Sequence, residues 1–191
     1  MENPSALEID WEYLSLAVES LEDYVLSPER MWVITKMINR EPADRARLTI
    51  AGIRLCQVRL GAAPLTSQRQ TELTRLGFAV ERVQLRWSTH WQAKVAAENE
   101  ERARLWQNYI LDLMDEGWSK AIYASQVRLR AMLQLLNLEL AGAKQHFLSA
   151  DFRDVDLRSI TKEGPFVWEP EIVSGFPVHS WWFLYRSGRN T

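Results

Sequence analysis

The three histidines, His90, His146 and His179, are the natural starting point for metal or acid–base chemistry. No two of them stand three or four residues apart, so no pair shares a helix face as metal ligands do. The residues three positions before them are Trp87, Ala143 and Phe176, which rules out the Glu-x-x-His pattern of di-metal bundles. Cys56 is the sole cysteine; it can form no internal disulfide and joins no thiolate cluster. Its apolar surroundings predict a buried, inert thiol. The sequence contains no Gly-x-Ser-x-Gly elbow, no Gly-x-Gly-x-x-Gly and no phosphate loop. Asp112, Asp115 and Glu116 cluster near a helix end, and Asp151, Asp154 and Asp156 lie further on. The second group lacks the glycine and downstream glutamate of a calcium loop. These residues assign no catalytic, cofactor-binding or metal-ligating position, and no cofactor is expected.

Charge carries more information than any motif. Every charged residue from 1 to 29 is acidic, whereas residues 30–94 hold twelve basic side chains against four acidic ones. The formal net charge is −2, so the whole chain has no general attraction to nucleic acid. Arginine outnumbers lysine eighteen to five, which suits bidentate pairing with carboxylates or phosphates. Within "RVQLRWSTHWQAK" and just before it, Arg75, Arg82, Arg86, Trp87, His90, Trp91 and Lys94 form a candidate nucleic-acid or partner face. The competing expectation is that the acidic first helix packs across the basic helices and cancels their field. Trp87 and Trp91, four apart, also suit a helix core.

The elements that must position these groups are mostly helical. Leu7, Trp11, Leu14, Val18, Leu21 and Val25 step by fours and threes, a heptad seam on one helix. Ser27-Pro28 then resembles a helix start, although "PERMWVITKMIN" also suits a short strand. Asp44 is a candidate cap for a central helix with Leu48, Ala51, Leu55 and Val58 as its stripe, ending at Gly61 and Pro64. A long run begins at Thr66 or Ser67 with Leu73, Leu76, Val80, Val83 and Trp87 as its seam. The segment "AAENEERAR" is polar all round, and apolar spacing resumes at Trp106, Ile110 and Leu113. An unbroken helix to Glu116 would be about 75 Å long at ~1.5 Å per residue, so its middle should project into solvent or bend. After Gly117, Ile122, Leu129, Leu133, Leu136, Leu140, Ala143 and Phe147 form the stripe of a last long helix.

These patterns predict an all-α bundle of four or five helices over residues 1–150, with a long antiparallel C-terminal helix pair. Residues 151–191, rich in proline, glycine and tryptophan, form a mostly irregular aromatic extension, making one domain overall. Its apolar stretch "WWFLY" is far short of the ~20 residues of a membrane span, and no transmembrane helix is indicated. The extension should dock back on the bundle through Phe166, Trp168, Phe176, Trp181 and Trp182.

Three function classes follow. The leading one is a non-catalytic helical interaction or scaffold protein, working through protein partners or self-association. The second is a nucleic-acid-associated subunit of a larger complex, using the arginine-rich face in residues 30–94. The third is a ligand-binding or enzymatic bundle with a tryptophan-lined pocket. The acidic N-terminus is unlike a secretory signal, and with a single cysteine this points to the cytoplasm.

Overall fold

The computed structural model describes residues 4–34, 47–143 and 153–189. The protein is all-α, its helices joined by two short antiparallel strand pairs. It forms two compact units, Met1–Glu98 and Asn99–Thr191. The expected boundary at residue 150 lies outside the described residues. Among the described residues no helix is long and apolar enough to cross a membrane.

In the first unit, α1 (Ala6–Leu26) opens on a capping box: Ser5 Oγ accepts the Glu8 N–H, and the Glu8 carboxylate accepts the Ser5 N–H at 2.7 Å. Trp11, Leu14, Leu21 and Val25 are buried as the heptad predicts, while Leu7 and Val18 are half-buried. Ser27 corrects an expectation. It closes α1, its hydroxyl bonding the Tyr24 carbonyl at 2.9 Å, and does not open a second helix. The strand reading of the next segment holds instead: β1 (Trp32–Val33) pairs antiparallel with β2 (Arg47–Leu48), with Trp32 opposite Leu48. Asp44 and residues 35–39 lie outside the described residues. The central helix, α2 (Ile50–Ala62), is capped by Thr49, whose Oγ1 accepts the Gly52 N–H at 3.0 Å. Leu48 therefore packs from a strand, not from the helix. As expected, α2 is buried along most of its length, packing against α1 and against α3 (Ser67–Arg86).

The long run breaks at Trp87, upstream of the polar "AAENEERAR". Trp87 leaves helical geometry (φ −120°, ψ 39°) between α3 and α4 (Ser88–Glu116). The polar segment does not project as a whole, because Glu98 within it is buried. One Glu98 oxygen accepts the Ile50 N–H and the Tyr24 hydroxyl, both at 2.7 Å; the other accepts the Ala51 N–H at 2.9 Å. The carboxylate thus sits on the first amides of α2, where the helix dipole and unbonded N–H groups favour an anion. One turn away, Lys94 donates to the Glu29 carbonyl and lies 4.4 Å from the Tyr24 ring centroid. Burial lowers its pKa, opposed by the charges of Glu98 and Glu29. A second buried anion, Asp10 on α1, takes the Arg59 Nε at 2.7 Å from α2.

In the second unit, α4 ends at Gly117, whose φ of 88° is open to glycine at little cost. α5 (Lys120–Ala143) buries Tyr123, Val127, Arg130 and Ala131 besides Leu133 and Leu136. The expected stripe is displaced at its start: Ile122 is exposed and Tyr123 faces inward. The extension is more regular than expected. It holds α6 (Asp154–Ile160), β3 (Thr161–Glu163), a 3-10 turn (Pro170–Gly175), α7 (Val178–Trp181), a second 3-10 turn (Trp182–Leu184) and β4 (Arg186–Gly188). β3 and β4 pair antiparallel, Thr161 opposite Gly188, so strand pairing closes the extension on itself.

Replacing Glu98 by glutamine puts an amide N–H₂ where one buried backbone N–H now finds an acceptor. The expected loss of stability is on the order of 2 kcal/mol, read as a lower urea midpoint for Glu98→Gln by circular dichroism. A midpoint equal to that of the unmodified chain would show that the carboxylate does not hold α2.

Candidate interaction surfaces

The residues proposed from sequence as one face divide between surface and interior. Arg75, Arg82, Arg86 and His90 are exposed, and Trp87 is half-buried. Trp91 is wholly buried and Lys94 nearly so. Arg75 lies one turn from Glu72 and forms two hydrogen bonds to it, at 2.9 and 2.7 Å. That contact lowers the Glu72 pKa and raises that of Arg75. Glu22 of α1 accepts the Trp87 indole N–H at 2.8 Å and lies 3.1 Å from Arg86. Arg69 stacks 4.7 Å from the centroid of Trp11, and Arg54 lies 5.3 Å from that of Trp91. The acidic first helix thus meets arginines of α2 and α3 at Asp10 and Glu22. Arg82 has no ion-pair partner among the described residues.

Apolar spacing on α3 missed its outer face. Phe78 is 66% exposed and Leu85 is 80% exposed. Seven residues apart, they fall on one stripe of the helix, and Arg75 and Arg82, also seven apart, lie alongside. The inner face of the same helix is the buried seam Leu76, Val80 and Val83. The seam uses the three-and-four spacing fully, so Phe78 and Leu85 are surplus to it, and this surplus was the readable signal.

The second surface belongs to the C-terminal extension, which packs on α5. Phe176 is fully buried, Trp181 is buried, and Phe166, Trp168 and Trp182 are half-buried. The rings form a continuous series: Phe166 touches Trp168, Phe176 and Tyr185, Phe176 meets Trp181 at 5.0 Å, and Trp181 meets Phe183 at 5.8 Å. α5 supplies the polar fixings at positions spaced along one face. Tyr123 donates to the Phe183 carbonyl at 2.6 Å, the Ala124 carbonyl accepts the Trp168 indole N–H, and Gln134 donates to the Ser180 carbonyl. Arg130 pairs with Asp154 through two hydrogen bonds, at 3.0 and 2.9 Å, and lies 4.5 Å from the Phe183 ring centroid. At the far end the Trp118 side chain covers Gly188, where an added Cβ would come within 2.5 Å of the indole. Phe183 and Leu184, both fully buried, anchor the extension more deeply than the tryptophans singled out from sequence.

Trp106, Tyr109, Trp118 and Tyr123 form an aromatic group beside this docking face, with Trp118 and Tyr123 at 4.3 Å. The buried Tyr109 hydroxyl has no hydrogen-bond partner among the described residues. Burial pushes the hydroxyls of both Tyr109 and Tyr123 well above the usual phenol range. Among the described residues, no group of three His, Cys, Asp or Glu side chains is placed to hold a metal ion. Asp156 pairs with Arg153, while Asp112, Asp115 and Glu116 are exposed, and Asp151 lies outside the described residues.

Compared with protein-family profiles, curated proteins and solved structures, the chain matches none.

The two tyrosines give opposite predictions. Tyr123→Phe leaves the Phe183 carbonyl buried without its donor and should cost about 1–3 kcal/mol. Tyr109→Phe removes only an unbonded hydroxyl and should be neutral or stabilising. Both phenols hold their protons more tightly folded than unfolded. Their contribution is therefore complete below about pH 10 and falls as pH rises beyond it, because the unfolded chain ionises first. Tyrosinate absorbance should accordingly rise in two stages, the second coinciding with loss of helical circular dichroism. A single early rise with the helices intact would contradict this.

Replacing Phe183 by alanine tests the docking itself. A loss of about 3–5 kcal/mol is expected, together with protease sensitivity of residues 153–189 in Phe183→Ala.

Proposed function

We propose that the chain is a non-catalytic interaction protein and that α3 is its docking helix, taking an apolar, acid-flanked segment of a protein partner. The observation that carries this reading is the exposure of Phe78 and Leu85 on a helix whose other face is fully packed. Large apolar side chains aligned on one exposed stripe are what a partner helix or strand covers. Arg82, which has no ion-pair partner among the described residues, lies beside them and favours a carboxylate in that partner. The nucleic-acid reading of this face has less support. Trp91 and Lys94 are interior, and Arg75 and Arg86 already have carboxylates at short range.

The test places a photo-crosslinking residue at position 78 or 85 of the full chain in cells, with position 178 as an exposed control. A discrete adduct from both helix positions is expected, lost when Arg82→Glu reverses the charge. Absence of an adduct, or one indifferent to Arg82→Glu, overturns the reading. Sedimentation equilibrium separates a different partner from a second copy: a two-chain mass abolished by Phe78→Glu assigns the face to self-association. As a surface change, Phe78→Glu should shift folding stability by no more than about 0.5 kcal/mol.

A further inference from the structure

At the end of α6 two arginines lie against Trp182 and a third shares their backbone acceptors. Arg158 lies over Trp182, its guanidinium carbon 3.6 Å from the ring centroid, and the Arg186 guanidinium carbon is 5.7 Å from the same centroid. Arg186 and Arg189 share acceptors. Arg186 donates to Thr161 Oγ1 at 2.8 Å and to the Thr161 carbonyl at 2.7 Å, and Arg189 reaches that same carbonyl at 3.1 Å. Both also donate to the Arg158 carbonyl, at 3.4 and 3.3 Å. Arg186 is buried, 8% exposed, whereas Arg158 and Arg189 are exposed.

Part of this arrangement is structural, since arginines commonly satisfy the last carbonyls of a helix. That role uses Nε and one terminal nitrogen of Arg186 and of Arg189. It leaves the other terminal nitrogen of each, and the whole donor set of Arg158, without a hydrogen-bond acceptor among the described residues. No carboxylate among the described residues forms an ion pair with any of the three. Glu163 stands directly opposite Arg186 across the strand pair, yet it only attracts Arg186 at a distance while Arg186 turns to Thr161. Burial and the charges of Arg158 and Arg189 lower the Arg186 pKa, opposed by Tyr123 and Glu163. Like charges held this close favour an anion that can take several N–H donors at once.

We propose that Arg158, Arg186 and Arg189 form a binding site for a terminal phosphate group, as free phosphate or a phosphomonoester. A phosphate dianion offers three oxygens and matches guanidinium geometry. A nucleic-acid strand is the weaker fit, because it needs an extended basic track, and exposed Glu163 stands opposite Arg186 in the strand pair. The site is independent of the docking helix proposed above.

The test follows the Trp182 indole N–H of the ¹⁵N-labelled full chain by NMR while inorganic phosphate or phenyl phosphate is added at about pH 8, where both are dianions. Sodium chloride of equal ionic strength is the control. A saturable shift is expected with phosphate and not with chloride, weakened about tenfold or more by Arg158→Gln and strengthened by Glu163→Gln. Arg82→Gln should leave it unchanged. A shift with phenyl phosphate alone would assign the site to phosphomonoesters; a shift with both would assign it to the phosphate group itself. A response equal to that of chloride, or an Arg158→Gln variant that binds unchanged, overturns the proposal. So does a single-stranded oligonucleotide that binds far more tightly than either probe through the same arginines.

Discussion

One buried carboxylate holds the first unit together. Glu98 is reached from α4, yet its acceptors serve the first two amides of α2 and the hydroxyl of Tyr24 on α1. A helix start buried without partners is costly, because its first N–H groups have no acceptor inside the helix. α2 is the most enclosed helix of that unit and begins straight from a strand, with Thr49 capping only Gly52. The amides of Ile50 and Ala51 therefore depend on an anion supplied from elsewhere in the chain. Glu98 also explains why Lys94 tolerates burial, since its cation lies between the Tyr24 ring, the Glu29 carbonyl and the Glu98 charge.

That dependence is also the part of the fold that periodicity could not reveal. The helices themselves were legible: Trp11, Leu14, Leu21 and Val25 mark the buried side of α1, Thr66 caps α3, and Gly117 ends α4. Apolar spacing reports only apolar contacts. It passed over Asp10, Arg59 and Glu98, whose partners lie 46 or more residues away in sequence. The polar segment around Glu98 reads as solvent-facing because a helical repeat says nothing about the start of another helix packed beside it. For the same reason the expected projection or bend was placed at the polar segment, ten or so residues beyond the break observed at Trp87. Trp87 continues the seam in spacing while its indole is engaged by Glu22.

The candidate surfaces were legible in a different way. Arginine excess drew attention to α3, but sequence could not separate exposed Arg75, Arg82 and Arg86 from buried Lys94. In the extension, aromatic density predicted docking on the helices. The burial of Phe183 and Leu184 was hidden because "SWWFLY" is neither a strand nor a full helix. It is one helical turn followed by a 3-10 turn, and that change of winding aims Phe183 inward after Trp182 has faced the arginines.

The position of Gly188 beneath Trp118 has a consequence for the order in which the chain is built. Apart from Tyr109 and Trp118, which lie against Tyr123, the side chains that cover the inner face of α5 come from Asp154 to Gly188 and are synthesised after α5 itself. The first unit has all its packing groups once Glu98 has left the ribosome, and chains generally fold from the N-terminus as they emerge, at roughly 5–20 residues per second. The second unit cannot do so. Its aromatic docking face on α5 stays only partly covered through several further seconds of translation, so the second unit completes its core after the first has closed.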